Sequence, residues 1–163
     1  LEDEFDNLFA YAASNGSVDV LRWAHPKYPP NQYPAGVWYD ICCEAAINDH
    51  IEVLEYLQSL GTIVKWKESV CMCAASGGHI HVLQWLREIL DPPCPWDRDT
   101  CTFAAMNGHL HVLQWLRAQD PPCPWGEATC YSAAEEGHLD ILKWLRSQEP
   151  PCPWWKQDCI YKA

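Results

Sequence analysis

A period runs through this chain, and it limits the possible fold more than any other feature. Paired alanines recur at Ala12-Ala13, Ala45-Ala46, Ala74-Ala75, Ala104-Ala105 and Ala133-Ala134, at spacings of 33, 29, 30 and 29 residues. Eleven residues after the first alanine of each pair stands an aromatic: Trp23, Tyr56, Trp85, Trp115 and Trp144. A second tryptophan keeps the same beat at Trp38, Trp66, Trp96, Trp125 and Trp154, and in the last three copies it ends a Cys-Pro-Trp triplet. Units this short cannot each enclose a core, so copies of one supersecondary element must cover one another's apolar faces in a row.

Within the fourth copy, Cys101, Ala104, Ala105 and Gly108 fall at i, i+3, i+4 and i+7, the spacing of one helical face. Small side chains there let a neighbouring helix come close. Gly108 ends this helix A, since glycine takes the left-handed conformation that closes a helix. Leu110, Val112, Leu113, Trp115 and Leu116 then give helix B an apolar stripe. Asp120-Pro121-Pro122 stops helix B, because proline lacks an amide donor and restricts the residue before it. The resulting reading is all-α: one domain over residues 1–163, with repeats at about 1–36, 37–64, 65–94, 95–123 and 124–152 and a partial repeat at 153–163.

The run Ala104-Ala105-Met106-Asn107-Gly108-His109-Leu110-His111-Val112-Leu113-Gln114-Trp115-Leu116 resembles the ankyrin repeat, whose helix pair carries A-A-x-x-G-H-x-x-x-V-x-x-L-L. The stretches from Ala74 to Ile80 and from Ala133 to Leu139 match as well. The resemblance covers almost the whole chain and implies an ankyrin-like α-solenoid of about five stacked helix-turn-helix repeats. Two departures stand out. The usual T-P-L-H opening of helix A is replaced by Asp99-Thr100-Cys101-Thr102, and the unit is about four residues shorter than the usual 33. The missing residues belong to the β-hairpin finger, where Cys94-Pro95-Trp96 now sits, so the fingers are expected to be short or absent. This version is similar to divergent ankyrin arrays of algae, oomycetes and large DNA viruses. In the first repeat the segment from His25 to Gly36 is longer than its counterparts, and it is either a finger elaborated for contact or a drifting loop.

Composition narrows the partners. The chain has 163 residues and is 48% hydrophobic, enough for a continuous core. Its formal net charge of −11 repels phosphate backbones and anionic lipid headgroups, so neither nucleic acid nor a membrane is expected as partner. Lys65 with Lys67 and Lys143 with Arg146 are too sparse to track phosphates. No apolar stretch is long enough to span a bilayer, and Leu1-Glu2-Asp3-Glu4 is acidic where a signal peptide would be basic. An intracellular place, cytoplasmic or nuclear, is the expectation. Without an initiator Met, and breaking off inside a repeat, the sequence reads as a segment of a longer protein, monomeric alone or part of a larger complex.

Ten cysteines invite a metal or redox reading. Cys42, Cys71, Cys101, Cys130 and Cys159 stand three residues before the paired alanines, where the ankyrin resemblance implies a buried leucine, and are read as core thiols. Cys94, Cys123 and Cys152 precede Cys101, Cys130 and Cys159 by seven residues, which permits one local disulfide per repeat; a reducing compartment argues against it. His50, His79, His109 and His138 recur at the turn between helices, too far apart along a stack to share one metal ion, and are expected to bond turn backbone and close the contact between units. His81 and His111 take a position filled elsewhere by Asp19, Glu52 and Asp140, and so face solvent. The tryptophans are expected inside, one series in helix B and the other at the inter-repeat turn. No nucleophile, phosphate-loop, dinucleotide or zinc-protease motif occurs, so no enzyme activity and no cofactor are expected.

Positions that vary between copies while the frame stays fixed are free to serve a partner. On helix A these are Tyr39, Cys43 and Ile47; Glu68, Met72 and Ser76; Arg98, Thr102 and Met106; Glu127, Tyr131 and Glu135. Spaced at i and i+4, they form one ridge per helix and, across the stack, one strip. The expected function is protein–protein interaction through the concave helix A face, with Tyr39, Glu68, Met72, Arg98, Thr102, Met106, Glu127, Tyr131 and Glu135 as contact residues. Two alternatives stay open: a structural subunit or rigid spacer in a larger assembly, and a cysteine-based metal or redox protein.

Overall fold

A computed structural model describes residues 2–27, 37–61 and 66–154, apart from the side chains of residues 2–7 and 37. Most of the His25–Gly36 segment, Lys65, and residues 155–163 of the partial repeat with Cys159 lie outside the described residues. Among the described residues there are ten helices and no strand. The A helices are α1 (Glu2–Ser14), α3 (Val37–Ile47), α5 (Glu68–Gly77), α7 (Arg98–Met106) and α9 (Glu127–Glu135). The B helices are α2 (Val18–Ala24), α4 (Ile51–Ser59), α6 (Ile80–Glu88), α8 (Leu110–Arg117) and α10 (Leu139–Ser147).

Each A helix packs against the next in the order α1, α3, α5, α7, α9, while the B helices meet one another far less. Side-chain size explains the difference, since helix axes approach only as closely as the residues between them permit. The A helices meet through the alanine pairs and through Cys42, Cys71, Cys101 and Cys130, all buried. The B helices supply the bulk: Val53, Leu54 and Leu57, then Val82, Leu83 and Leu86, then Val112, Leu113 and Leu116, then Ile141 and Leu145. One apolar cluster runs through the repeats from Phe9 to Cys152. Each fully buried Leu or Ile contributes about 1.5–3 kcal/mol of transfer free energy, so the B helices anchor the row.

The alanine pair and the turn after it form one capping device. Gly16, Asp49, Gly78, Gly108 and Gly137 hold φ of 66, 69, 83, 79 and 77°, the left-handed region. The following residue then donates its N–H back to the first alanine, as in His109 to Ala104 O at 2.9 Å and His138 to Ala133 O at 2.8 Å. This satisfies a carbonyl that the helix end would otherwise orphan. Asp49 is the one non-glycine at positive φ among the described residues.

Helix α8 ends at Arg117, ahead of Asp120-Pro121-Pro122, with Ala118 N–H shared between Gln114 O and Trp115 O at 3.1 Å. Cis peptide bonds precede Pro92, Pro121 and Pro150. Each Cys-Pro-Trp turn is then clamped by an arginine of helix B. Arg87, Arg117 and Arg146 donate from Nη1 to Cys94 O, Cys123 O and Cys152 O at 2.7, 2.6 and 2.7 Å. The same guanidinium groups lie over Trp96, Trp125 and Trp154 at 4.1, 4.0 and 4.5 Å from the ring centres. Trp96 and Trp125 in turn meet Trp115 and Trp144 edge to face, with centroids 6.2 and 6.0 Å apart. These rings are half-buried and pack on the core, while Trp38 and Trp85 are buried.

Trp23 departs from the expectation: it is 58% exposed, with Lys27 Nζ 3.4 Å over its ring. The tryptophan that stands 19 residues before Trp85, Trp115 and Trp144 is replaced by Glu4 in the first repeat, so Trp23 lacks the turn ring that shields its counterparts.

Candidate protein-interaction face

The histidine series is committed to holding the repeats together. Nε2 of His50, His79, His109 and His138 donates to the carbonyls of Ser14, Ile47, Ser76 and Met106 at 3.1, 3.0, 2.9 and 3.0 Å. Each acceptor lies at or near the end of the preceding repeat's A helix, so the imidazole satisfies an orphan carbonyl across the repeat boundary. Turn and ring interlock: a Cβ on Gly78 would lie 2.9 Å from the His109 ring, and one on Gly108 would lie 2.8 Å from that of His138. Burial lowers the pKa of His109, although its bond to Ser76 pulls the other way. His81 and His111 are exposed, as their position implied. His111 bonds Gly78 O at 3.0 Å, and His81 meets the Asp49 carboxylate at 2.5 Å.

The cysteines pair differently from the seven-residue spacing. Cys71, Cys101 and Cys130 donate to the carbonyls of Cys94, Cys123 and Cys152 at 3.9 Å, so thiols 22 or 23 residues apart are the neighbours. Cys94, Cys123 and Cys152 donate onward to Lys67 O, Asp97 O and Gly126 O at 3.3, 3.3 and 3.4 Å. All six are buried free thiols that tie the Cys-Pro-Trp turn to the start of helix A. The turn folds back onto its own repeat, which the one-dimensional spacing does not reveal.

The proposed strip separates into two parts. Glu68, Arg98 and Glu127, in the first turn of α5, α7 and α9, are exposed, and so is Glu135 at the far end of α9. Tyr39, Met72 and Met106 are half-buried, and Tyr131 is exposed with its hydroxyl 3.3 Å from Glu135 Oε1. Thr102 is not a surface residue. It is 7% exposed, and its hydroxyl bonds Arg98 O at 3.0 Å and Thr129 Oγ1, from the next A helix, at 3.2 Å. In α7 the middle of the ridge therefore faces the following repeat, whereas Tyr131, at the matching place in α9, is exposed. Asp40 and Asp99, beside Tyr39 and Arg98, are exposed and extend the first-turn rim. The ridge pattern missed them because they lie one residue off its i, i+4 line; their acidic character at a helix start was the available signal, since carboxylates there favour the helix dipole.

On the B side, a groove of about 790 Å³ runs between α2 and α4, lined by Asp19, Arg22, Glu52, Glu55 and Tyr56 among others. Arg22 lies over the Tyr56 ring at 5.5 Å. Among the described residues, no group of three or more His, Cys, Asp or Glu is placed to hold a metal ion. Among the same residues, no helix is long and apolar enough to cross a membrane. No protein-family model matches the chain, and no curated protein matches it.

Proposed function

We propose that this chain is an ankyrin-like solenoid that works without catalysis, holding a partner protein against the concave face of its A helices. The observation that carries this reading is a division of labour within helix A. The paired alanines, Cys42, Cys71, Cys101 and Cys130, and the histidines His50, His79, His109 and His138 are spent on core and repeat contacts. The variable ends Glu68, Arg98, Glu127 and Glu135 stay exposed along successive helices of one row. Asp40, Glu68, Asp99, Glu127, Glu135 and Glu136 outweigh Lys67 and Arg98 there, which suits a partner with a basic contact surface.

The test compares two charge-reversed arrays with the intact chain in affinity capture, with the fold of each checked by circular dichroism. One carries Glu68→Lys, Arg98→Glu and Glu127→Lys on the A face; the other carries Glu88→Lys and Lys143→Glu on the B side. A partner retained by the B-side variant and lost by the A-face variant supports the reading. Equal recovery by both refutes the A face as the contact surface, and the rigid spacer then takes its place.

A further inference from the structure

Nine cysteines fall among the described residues, and seven of them are fully enclosed. The two that reach solvent, Cys43 on α3 and Cys73 on α5, are half-buried and belong to adjacent A helices packed against each other. Their thiols share a hydrogen bond across the repeat boundary. No other repeat supplies such a pair. The position of Cys43 is held by Ala10, Met72, Thr102 and Tyr131 elsewhere, and that of Cys73 by Tyr11, Glu44, Phe103 and Ser132. The repeat frame therefore does not require these thiols, and two independent departures from it, in two different copies, meet at one point.

We propose that Cys43 and Cys73 form a redox-modifiable dithiol that closes by exchange with a small disulfide of the oxidised-glutathione class, stapling the second repeat to the third. Cys73, as thiolate, attacks one sulfur of the small disulfide and expels one small thiolate, which takes up a proton. Cys43 then loses its proton and attacks the Cys73 sulfur of the mixed disulfide, releasing the second small thiol. Two protein thiols are oxidised and one small disulfide is reduced to two thiols, so electrons balance. Either thiol can open the exchange, because a hydrogen bond from one favours the thiolate of the other. The enclosed pairs have no comparable access.

The intact chain is incubated without denaturant in oxidised glutathione, quenched with acid, and mapped by peptide mass spectrometry; a second sample then receives excess reduced glutathione. The expected result is loss of two of the ten thiols, a single linked peptide joining Cys43 to Cys73, and reversal in the second sample. The Cys43→Ser variant is expected to stop at a glutathione adduct on Cys73. Retention of all thiols, a linkage through any other cysteine, or a Cys43→Ser protein without the adduct overturns the proposal. The wild-type map needs no variant to fold, so the outcome does not depend on the substitution being tolerated.

Discussion

Replacing Gly108 by alanine separates the energy of a single turn from the energy of the contact between repeats. At φ of 79° an L-residue is strained by about 1–2 kcal/mol, partly offset because alanine also restricts the unfolded chain, leaving about 1 kcal/mol. The added Cβ would also lie 2.8 Å from Cε1 of His138, displacing the ring from its 3.0 Å bond to Met106 O. Losing that bond and leaving the carbonyl unpaired costs about 1–2 kcal/mol more, for a total of about 2–3 kcal/mol. Gly137 provides the internal control. It occupies the same cap at φ of 77°, yet a Cβ there would meet nothing within 4 Å among the described residues, so Gly137→Ala costs only the strain of about 1 kcal/mol. Urea titration of both variants with an unchanged m-value measures the difference directly. In thermal melts Gly108→Ala falls by about 4–12 °C, given about 2–4 °C per kcal/mol for a chain of this size. Equal losses in the two variants would show that the imidazole contributes no energy across the boundary, and the interlock argument would fail.

Acidification should loosen the same contacts: His109 titrates below its ordinary value of 6.5 when folded, so the unfolded chain binds more protons between the two values. Its contribution is complete above that ordinary value and is lost as pH falls through it, and urea midpoints measured from pH 8 to 5 should decline less steeply in His109→Ala than in the intact chain. Arg117→Leu removes the 2.6 Å bond to Cys123 O and the contact with Trp125, a loss of about 2–3 kcal/mol by urea titration, with a tryptophan emission shift as the turn opens; an unchanged midpoint would mean that the clamp is idle. Asp97 accepts from Asp99 N at 3.0 Å and Thr100 N at 3.3 Å, so Asp97→Ala should cost about 1 kcal/mol. Gly126 holds the matching place in α9 without a side-chain cap, and Gly126→Asp should gain a few tenths of a kcal/mol; a loss in thermal melts would contradict it.

Much of this architecture is legible in one dimension because helices are local objects. The i, i+3, i+4 pattern around Ala104-Ala105, the glycine at position 108 and the leucines after it fix two helices and the turn between them without reference to any other repeat. The histidine role was legible for the same reason: a polar side chain at every turn must find a partner, and the repeat boundary is where one is available. The candidate face was legible only in part. Glu68, Arg98, Glu127 and Glu135 are exposed as their variability suggested, whereas Thr102 varies because it fits one particular neighbour, Thr129. Variation among copies marks freedom from the shared frame, and that freedom serves a local contact as readily as a partner.

The order of the residues alone determined the period, the all-helical class and which side chains make up each apolar stripe, since these depend on a rise and turn that every α-helix shares. Only the tertiary structure decided what meets across repeats: Cys71 beside Cys94, Cys43 beside Cys73, the His138 ring against Gly108, Trp23 left in the open. Those meetings are set by the sideways offset and rotation between stacked units, and that geometry arises from the fit of whole surfaces and is carried by no spacing within a single copy.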